Sequence, residues 1–273
     1  MRNVLVHAHI FKNAGTTFDF SLRRSFADAF LDHRQDELFL KGKNAYLLET
    51  LQQDPALKAL SSHSLHFPIK GDGEIKIFPV YFVRHPLARV WSVYHFEKRQ
   101  TGADTEGARR AKQLDLNSYV SWYLEQGSPA TIRNIHSIFL SGEGPAPDAM
   151  QAKFSLAMQT LDDPQIYVGV VERYDESMLM LEHCLKKYFP TLDLSYQRKN
   201  VSPESKSEDY MNSVNALLQE LDEDVAEKLK QANAFDLALY DRANQKLNVE
   251  MLEIPALQDK KVELANRCGQ LQE

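Results

Sequence analysis

Apolar residues first gather at Val4 to Ile10, a short run between polar flanks, which predicts a strand buried on both faces of a parallel sheet. A small-residue turn, Phe11 to Thr17, comes next. Phe18, Leu22, Phe26 and Phe30 then recur every four residues, the spacing of an amphipathic helix. Strand, tight loop and helix in that order open a nucleotide-binding α/β unit. Residues 36–60 read as a polar helix, and 61–70 as a turn-rich segment carrying His63 and His66. Ile75 to Val83 is the second β-rich run; its Pro79 cannot donate to a ladder and so asks for an edge or a bulge. Pro86 is placed to open a helix running through Trp91 and Phe96.

Further along, the pattern predicts a polar loop over 100–112, a helix over 114–125 and a loop over 141–148. Ile166 to Val171 forms a third strand, with a helix over 174–188 behind it. One acidic amphipathic helix is expected over 207–231 and another over 234–247, leaving 248–273 as a peripheral helical tail on a domain of residues 1–247. Strands alternating with helices predict an α/β fold of three layers, a mostly parallel central sheet flanked by helices.

Of the 273 residues, 43% are hydrophobic and 26% charged, which predicts a packed core rather than disorder. The net charge of −6 speaks against a nonspecific nucleic-acid binder. Within that acidic chain, Arg84 to Lys112 holds seven basic residues (Arg84, Arg89, Lys98, Arg99, Arg109, Arg110, Lys112) against three acidic ones, either a solvated face or an anion-binding surface. Cys184 and Cys268 are too few for a disulfide framework or a zinc cluster, and reduced thiols are expected. No apolar run approaches the ~20 residues that span a bilayer. Because a strand begins almost at Met1, no secretory signal is expected and the location expected is cytoplasmic.

Two stretches carry candidate chemistry. In His9 to Thr17, a loop of small residues at a helix N-terminus offers backbone N–H groups and the positive end of the helix dipole to a tetrahedral oxyanion. Gly15 permits close approach, Thr16 and Thr17 add hydroxyls, and Lys12 adds a mobile cation. The ATP-binding loop G-x-x-x-x-G-K-[ST] has its lysine late, directly before the hydroxyl residue, whereas Lys12 comes early and the first glycine is missing. An ATP-dependent small-molecule kinase is therefore the second reading, and a nucleotide-binding protein without turnover the third. The other stretch is Tyr81 to Tyr94, where Arg84 ends a strand and Ser92 follows eight residues later on a helix. A guanidinium fork and a short hydroxyl so spaced can converge on one phosphate.

His9 to Thr17 resembles the 5′-phosphosulfate loop of Golgi-type and related bacterial sulfotransferases, commonly His-Ile-Pro-Lys-Thr-Gly-Gly-Thr-Thr. Lys12, Gly15, Thr16 and Thr17 match it, while Phe11, Asn13 and Ala14 depart. The Arg84…Ser92 pair resembles the family's 3′-phosphate site, with His85 where an acidic residue is usual. Asn134 to Gly142, Val168 to Ser177, Arg198 to Ser202 and Phe235 to Tyr240 are similar to later family segments in the same order, so the resemblance spans roughly residues 4–243. It implies a P-loop-like fold and 3′-phosphoadenosine 5′-phosphosulfate (PAPS) as sulfuryl donor, without a metal. The implied donor contacts are Lys12, Asn13, Ala14, Gly15, Thr16, Thr17, Arg84, Ser92 and Arg198.

Sulfuryl transfer needs a base for the acceptor proton, and histidine, with an ordinary pKa of ~6.5, suits that task. Ser62 to Pro68 resembles the Gly-His-Phe-Pro stretch of bacterial relatives and the catalytic histidine region of heparan sulfate 2-O- and 6-O-sulfotransferases. That match implies His66 as the base, His63 as second choice and His95 as third, with Lys12 on the leaving oxygen. His7 and His9 read as strand residues beside the loop. The acceptor implied is a hydroxyl of a carbohydrate or other small metabolite. Arg99, Arg109, Arg110 and Lys112 could meet an anionic glycan, and Trp91, Trp122 and Tyr123 either stack a sugar or pack in the core.

Overall fold

A computed structural model describes residues 1–66, 68–102, 105–142, 149–197 and 210–271. Five strands, β1 (Arg2–Ala8), β2 (Phe30–Asp32), β3 (Ala59–Ser62), β4 (Ile75–Val83) and β5 (Tyr167–Val170), form a sheet in the order β2-β3-β1-β4-β5. Each pairing is parallel, so both faces are covered and the strands can be apolar throughout. Val4, Leu5, Val6, Val80 and Val83 are fully buried in it.

Helix α1 (Gly15–Phe26) follows β1 directly, and Phe18 and Leu22 seal it onto the main core. The four-residue apolar rhythm outlasts the helix: the backbone turns at Ala27 (φ 48°) and Phe30 opens the edge strand β2. Residues 36–60 divide into α2 (Asp36–Gln53), kinked at Lys43 (φ 49°), and strand β3. Helix α3 (Pro86–Arg99) starts on its proline as expected. The stretch 100–112 is not all loop, because Thr105 caps a helix α4 (Glu106–Gln113) by accepting a hydrogen bond from the Ala108 N–H. Helices α5 (Leu116–Leu124), α6 (Ile135–Ser141) and α7 (Met150–Asp162) come next, the last two not foreseen as helices.

After β5 come α8 (Tyr174–Leu185), α9 (Tyr210–Glu220), α10 (Glu223–Ala232), α11 (Ala234–Leu252) and α12 (Leu257–Gln270). The single helix expected over 207–231 is thus two, broken where Leu221 turns inward and Asp222 takes extended backbone (ψ 148°). Helix α12 lies against α8 through Leu264 and the ion pair of Lys261 with Glu176. Segment 143–148 and the Arg198 to Ser202 segment lie outside the described residues.

Two cores result. The larger joins the sheet to α1, α2, α8, α11 and α12, while α3, α4, α5, α9 and α10 enclose a second around Trp91, Tyr119, Trp122 and Tyr123. Those aromatics are therefore core residues. Pro79 sits in the interior strand β4, yet pairing with β5 begins only at Val80, so on that side it lies just outside the ladder. The order β2-β3-β1-β4-β5 also sends the chain to opposite sides after β1 and β4. Loops leaving adjacent strand ends in opposite directions open a crevice at the carboxyl edge of the sheet.

Asp236 on α11 binds that crevice to the rest of the fold. Its carboxylate accepts the N–H groups of His136 and Ser137, at 2.8 Å each, and the Ser137 hydroxyl at 2.7 Å, capping α6 from another helix. His136 Nδ1 lies 2.9 Å from the same carboxylate. Burial works to raise the Asp236 pKa, but His136 and these donors hold it below the usual range. Asp236→Ala would strand several buried donors, and we expect a loss of about 3 kcal/mol or more in chemical denaturation. A loss under about 1 kcal/mol, the scale of an ordinary surface change, would contradict this role.

Candidate functional site

The crevice is floored by the loop between β1 and α1. Lys12 (φ 65°) and Ala14 (φ 58°) both take left-handed backbone without being glycines, which neighbours must enforce. Asn13 does so from below: it is 1% exposed, and its amide donates to the Phe82 carbonyl (2.6 Å) and to His136 Nε2 (2.8 Å). With Nε2 accepting, His136 carries its proton on Nδ1, toward Asp236. The departure at Asn13 is thus a buttress rather than a flaw in the loop. Thr17 and Phe18 donate to the Ala14 carbonyl, so the helix itself offers the Gly15 and Thr16 N–H groups no acceptor. Ala14, the residue before α1, has no side-chain group to cap it, and the first turn holds no acid.

Arg84, at the end of β4, donates to the Lys12 carbonyl at 3.1 Å, joining the two motifs across the crevice. Its Nε is buried without a hydrogen-bond partner among the described residues, 3.8 Å from Glu172, and Glu172 also accepts the His85 N–H at 3.1 Å. Arg89 is 2% exposed and donates to the carbonyls of Phe11 (3.0 Å) and Thr131 (2.6 Å). Burial pushes the Arg89 pKa down to about 10. Ser92, one turn beyond it on α3, is also buried. The Lys12 ammonium sits 4.5 Å over the Phe96 ring. Burial, followed by the charges of Arg84, Arg99 and Arg89, pushes its pKa down to about 8.

Histidines line the side of the crevice next to β3. His63 follows β3 directly; its Nδ1 donates to the His9 carbonyl at 2.7 Å, and its ring lies on the His9 ring with centroids 3.9 Å apart. That bond makes Nε2 the unprotonated nitrogen, and Nε2 makes no hydrogen bond among the described residues. Burial, then His9 and Arg34, push the His63 pKa down to about 4. His66 is placed differently: its Nε2 donates to the His63 carbonyl at 3.1 Å, its ring packs on Phe139, and its Nδ1 is buried without a partner. His95 stands apart, against Trp91 and Tyr94.

The structure therefore brings together Lys12, Asn13, Ala14, Gly15, Thr16, Thr17, Arg84 and the turn holding His63 and His66, with Ser92 on the adjoining helix. Arg198 lies outside the described residues. Arg89, His136 and Asp236, which shape the loop, carried no signal of that role, because their partners lie 42 to 123 residues away in the chain. Asp19 was equally hidden: both its oxygens meet histidines from β1 and its exit, at 2.8 Å (His7) and 2.9 Å (His9). The expected basic loop is part helix, where Arg110 pairs with Glu106 and lies over Trp122.

A family model described as "Sulfotransferase family" matches residues 1–241. A protein of Archaeoglobus fulgidus described as uncharacterized is 29% identical over 250 residues, 88% of this chain and 96% of the relative.

Three arginines around a half-buried ammonium cost stability in the free protein. The Lys12 pKa is lower in the fold than the ordinary 10.5, so the cost is complete below about pH 8 and relieved as pH rises toward 10.5. Lys12→Met is expected to raise stability at neutral pH by ~1 kcal/mol, a gain that shrinks at high pH. Denaturation at pH values on both sides of 8 checks it; a destabilised Lys12→Met would contradict the electrostatic picture.

Proposed function

The chain belongs to the sulfotransferase family, and from that premise we propose that it moves a sulfuryl group from PAPS to the hydroxyl of a carbohydrate or other small acceptor. The observation that carries this reading is the Arg84 guanidinium closing on the Lys12 carbonyl. It puts a cation at the end of β4 beside an uncapped helix N-terminus, so two phosphate-sized anions joined by a nucleoside find separate anchors. The loop N–H groups of Gly15 and Thr16 would hold the 5′-phosphosulfate, and Arg84 with Ser92 the 3′-phosphate. An ATP-dependent kinase has no use for the second anchor. It would also need a metal-binding carboxylate at a strand end, and Glu172, which follows β5, is engaged by Arg84 and the His85 N–H.

In the mechanism, an acceptor hydroxyl attacks sulfur in line with the bridging oxygen. Lys12 neutralises charge on that oxygen as the bond to sulfur breaks, and adenosine 3′,5′-bisphosphate leaves. A histidine of the Ser62–His66 turn removes the acceptor proton. His63 suits this better than His66, since its Nδ1 is fixed on a carbonyl and its Nε2 has no hydrogen bond among the described residues, whereas Nε2 of His66 is bonded to a carbonyl and its Nδ1 is buried. His66 then braces the turn by its bond to the His63 carbonyl.

Adenosine 3′,5′-bisphosphate should bind far more tightly than AMP, and Arg84→Ala should remove most of the gap, ~1.5–3 kcal/mol for a charge-assisted contact. Equal affinities in calorimetry would refute a 3′-phosphate site, and ATP with magnesium binding best would favour a kinase. A second expectation concerns pH. With His63 required neutral and Lys12 required charged, kcat/KM should form a bell, rising through about 4 and falling through about 8. His63→Ala should lose transfer by ~10²–10⁴-fold with bisphosphate binding intact. If His66→Ala is dead and His63→Ala active, the base is His66.

A further inference from the structure

Directly behind the loop lies a buried acid that the proposed reaction leaves unused. Asp19 on α1 is 5% exposed, with His7 Nδ1 at one oxygen and His9 Nδ1 at the other. Burial works to raise its pKa, but the two imidazoles hold it far below the usual carboxylate range, so it is a permanent anion. Its bond to His9 sets that ring's orientation, and Gly15 leaves the room the ring needs: a Cβ there would stand 2.2 Å from His9 Cδ2. His63 depends on His9 twice, through the carbonyl that takes its Nδ1–H and through the ring it lies on. The chain of contact Asp19–His9–His63 thus runs from a buried carboxylate to the free Nε2.

We propose that Asp19, acting through His9, is a positioning residue for sulfuryl transfer, which seats His63 and stabilises the positive charge His63 gains. This rests on the reading of His63 as the base. During transfer the acceptor oxygen bonds to sulfur and its proton passes to His63 Nε2. The bond from sulfur to the bridging oxygen breaks, and its electron pair leaves on the bisphosphate. An imidazolium forms against a neutral His9 ring, and Asp19 on the far side of that ring is the compensating anion.

The charged and titratable groups facing His63 come from several elements: His9 beyond β1, Asp19 on α1, Arg34 beyond β2, and His66 on its own turn. Asp36, at the start of α2, joins the turn through a 2.6 Å bond from the Ser64 hydroxyl. Asp19 itself also faces His7 and, from α8, Tyr174. Among these, Asp19 and Arg34 act on His63 in opposite senses, the carboxylate favouring its protonated form and the guanidinium opposing it. Arg34 lies 3.8 Å from Asp19, but its side chain is 47% exposed and paired with Asp32, so it can be removed without opening the core.

The experiment is an NMR titration of the His63 ring in the full chain saturated with adenosine 3′,5′-bisphosphate, the resonance being assigned by its loss in His63→Ala. Asp19→Asn should lower the His63 pKa and Arg34→Ala should raise it. In transfer assays Asp19→Asn should lower kcat about tenfold or more with little change in donor KM, and Asp19→Glu should restore part of it. If Asp19→Asn does not fold, His9→Gln, which removes the ring that links Asp19 to His63, takes its place, and an unchanged His63 pKa and kcat there overturn the proposal. A His63 pKa unmoved by either substitution overturns the proposal, as does one molar equivalent of zinc that Asp19→Asn loses, which would make the cluster a metal site. Full transfer by His63→Ala removes the base reading and the proposal with it. A dead His63→Ala beside a normal Asp19→Asn overturns the positioning role alone.

Discussion

Asn13 stands under a loop whose backbone, left-handed at Lys12 and at Ala14, would relax if nothing held it. Both amide hydrogens of Asn13 are engaged, one by the carbonyl of Phe82 in β4 and one by His136, whose other nitrogen meets the buried carboxylate of Asp236. Through these bonds the loop after β1, the strand β4, the short helix α6 and the long helix α11 share one polar network in the interior. A buried network of this kind restricts the geometry, because displacing Asn13 would strand its amide donors. The position of the Lys12 ammonium, and the meeting of Arg84 with the loop, follow from it.

Above that network the chemistry works against stability. Lys12, Arg84, Arg89 and Arg99 converge, with Glu172 as the nearby acid, and the uncapped start of α1 adds its dipole in the same sense. Such a concentration of positive potential has no structural benefit in the free protein, but it suits an anion with two phosphate-like ends. The histidine side is organised differently. There the His63 ring lies on the His9 ring, Asp19 holds His9 from its far side, and burial lowers the pKa of both imidazoles. The cationic side and the histidine side of the crevice are thus held by separate networks that touch at the loop, where Gly15 makes room for His9.

Much of the loop side of the crevice was legible in the sequence because its parts are local. A strand, a loop of small residues and a helix occupy consecutive positions, and Arg84 to Ser92 needs only a strand end and one helix. The α/β fold followed from the same alternation, and the sheet is fully parallel. Element limits were less legible: the apolar rhythm runs through Phe26 and Phe30 without showing the turn at Ala27, and an acidic pattern over 207–231 does not show the break at Asp222. In each case backbone geometry intervened in a run whose side chains stay compatible with a helix.

The sequence alone determined which candidate groups the crevice has to offer: Lys12, the Thr pair, Arg84 and the histidines of one turn, since side-chain chemistry belongs to the residue. Tertiary structure decided how each of them is held. It gave His63 a fixed tautomer and left His66 with both nitrogens turned into the protein, a difference made by carbonyls and rings and not by residue type. It made Asn13, Arg89, His136, Asp236 and Asp19 into the frame of the crevice, most of them through partners 42 to 123 residues distant. Contacts at such separations leave no periodic trace in the chain, because they depend on where the sheet order puts the strand ends and on which buried donors then lack an acceptor.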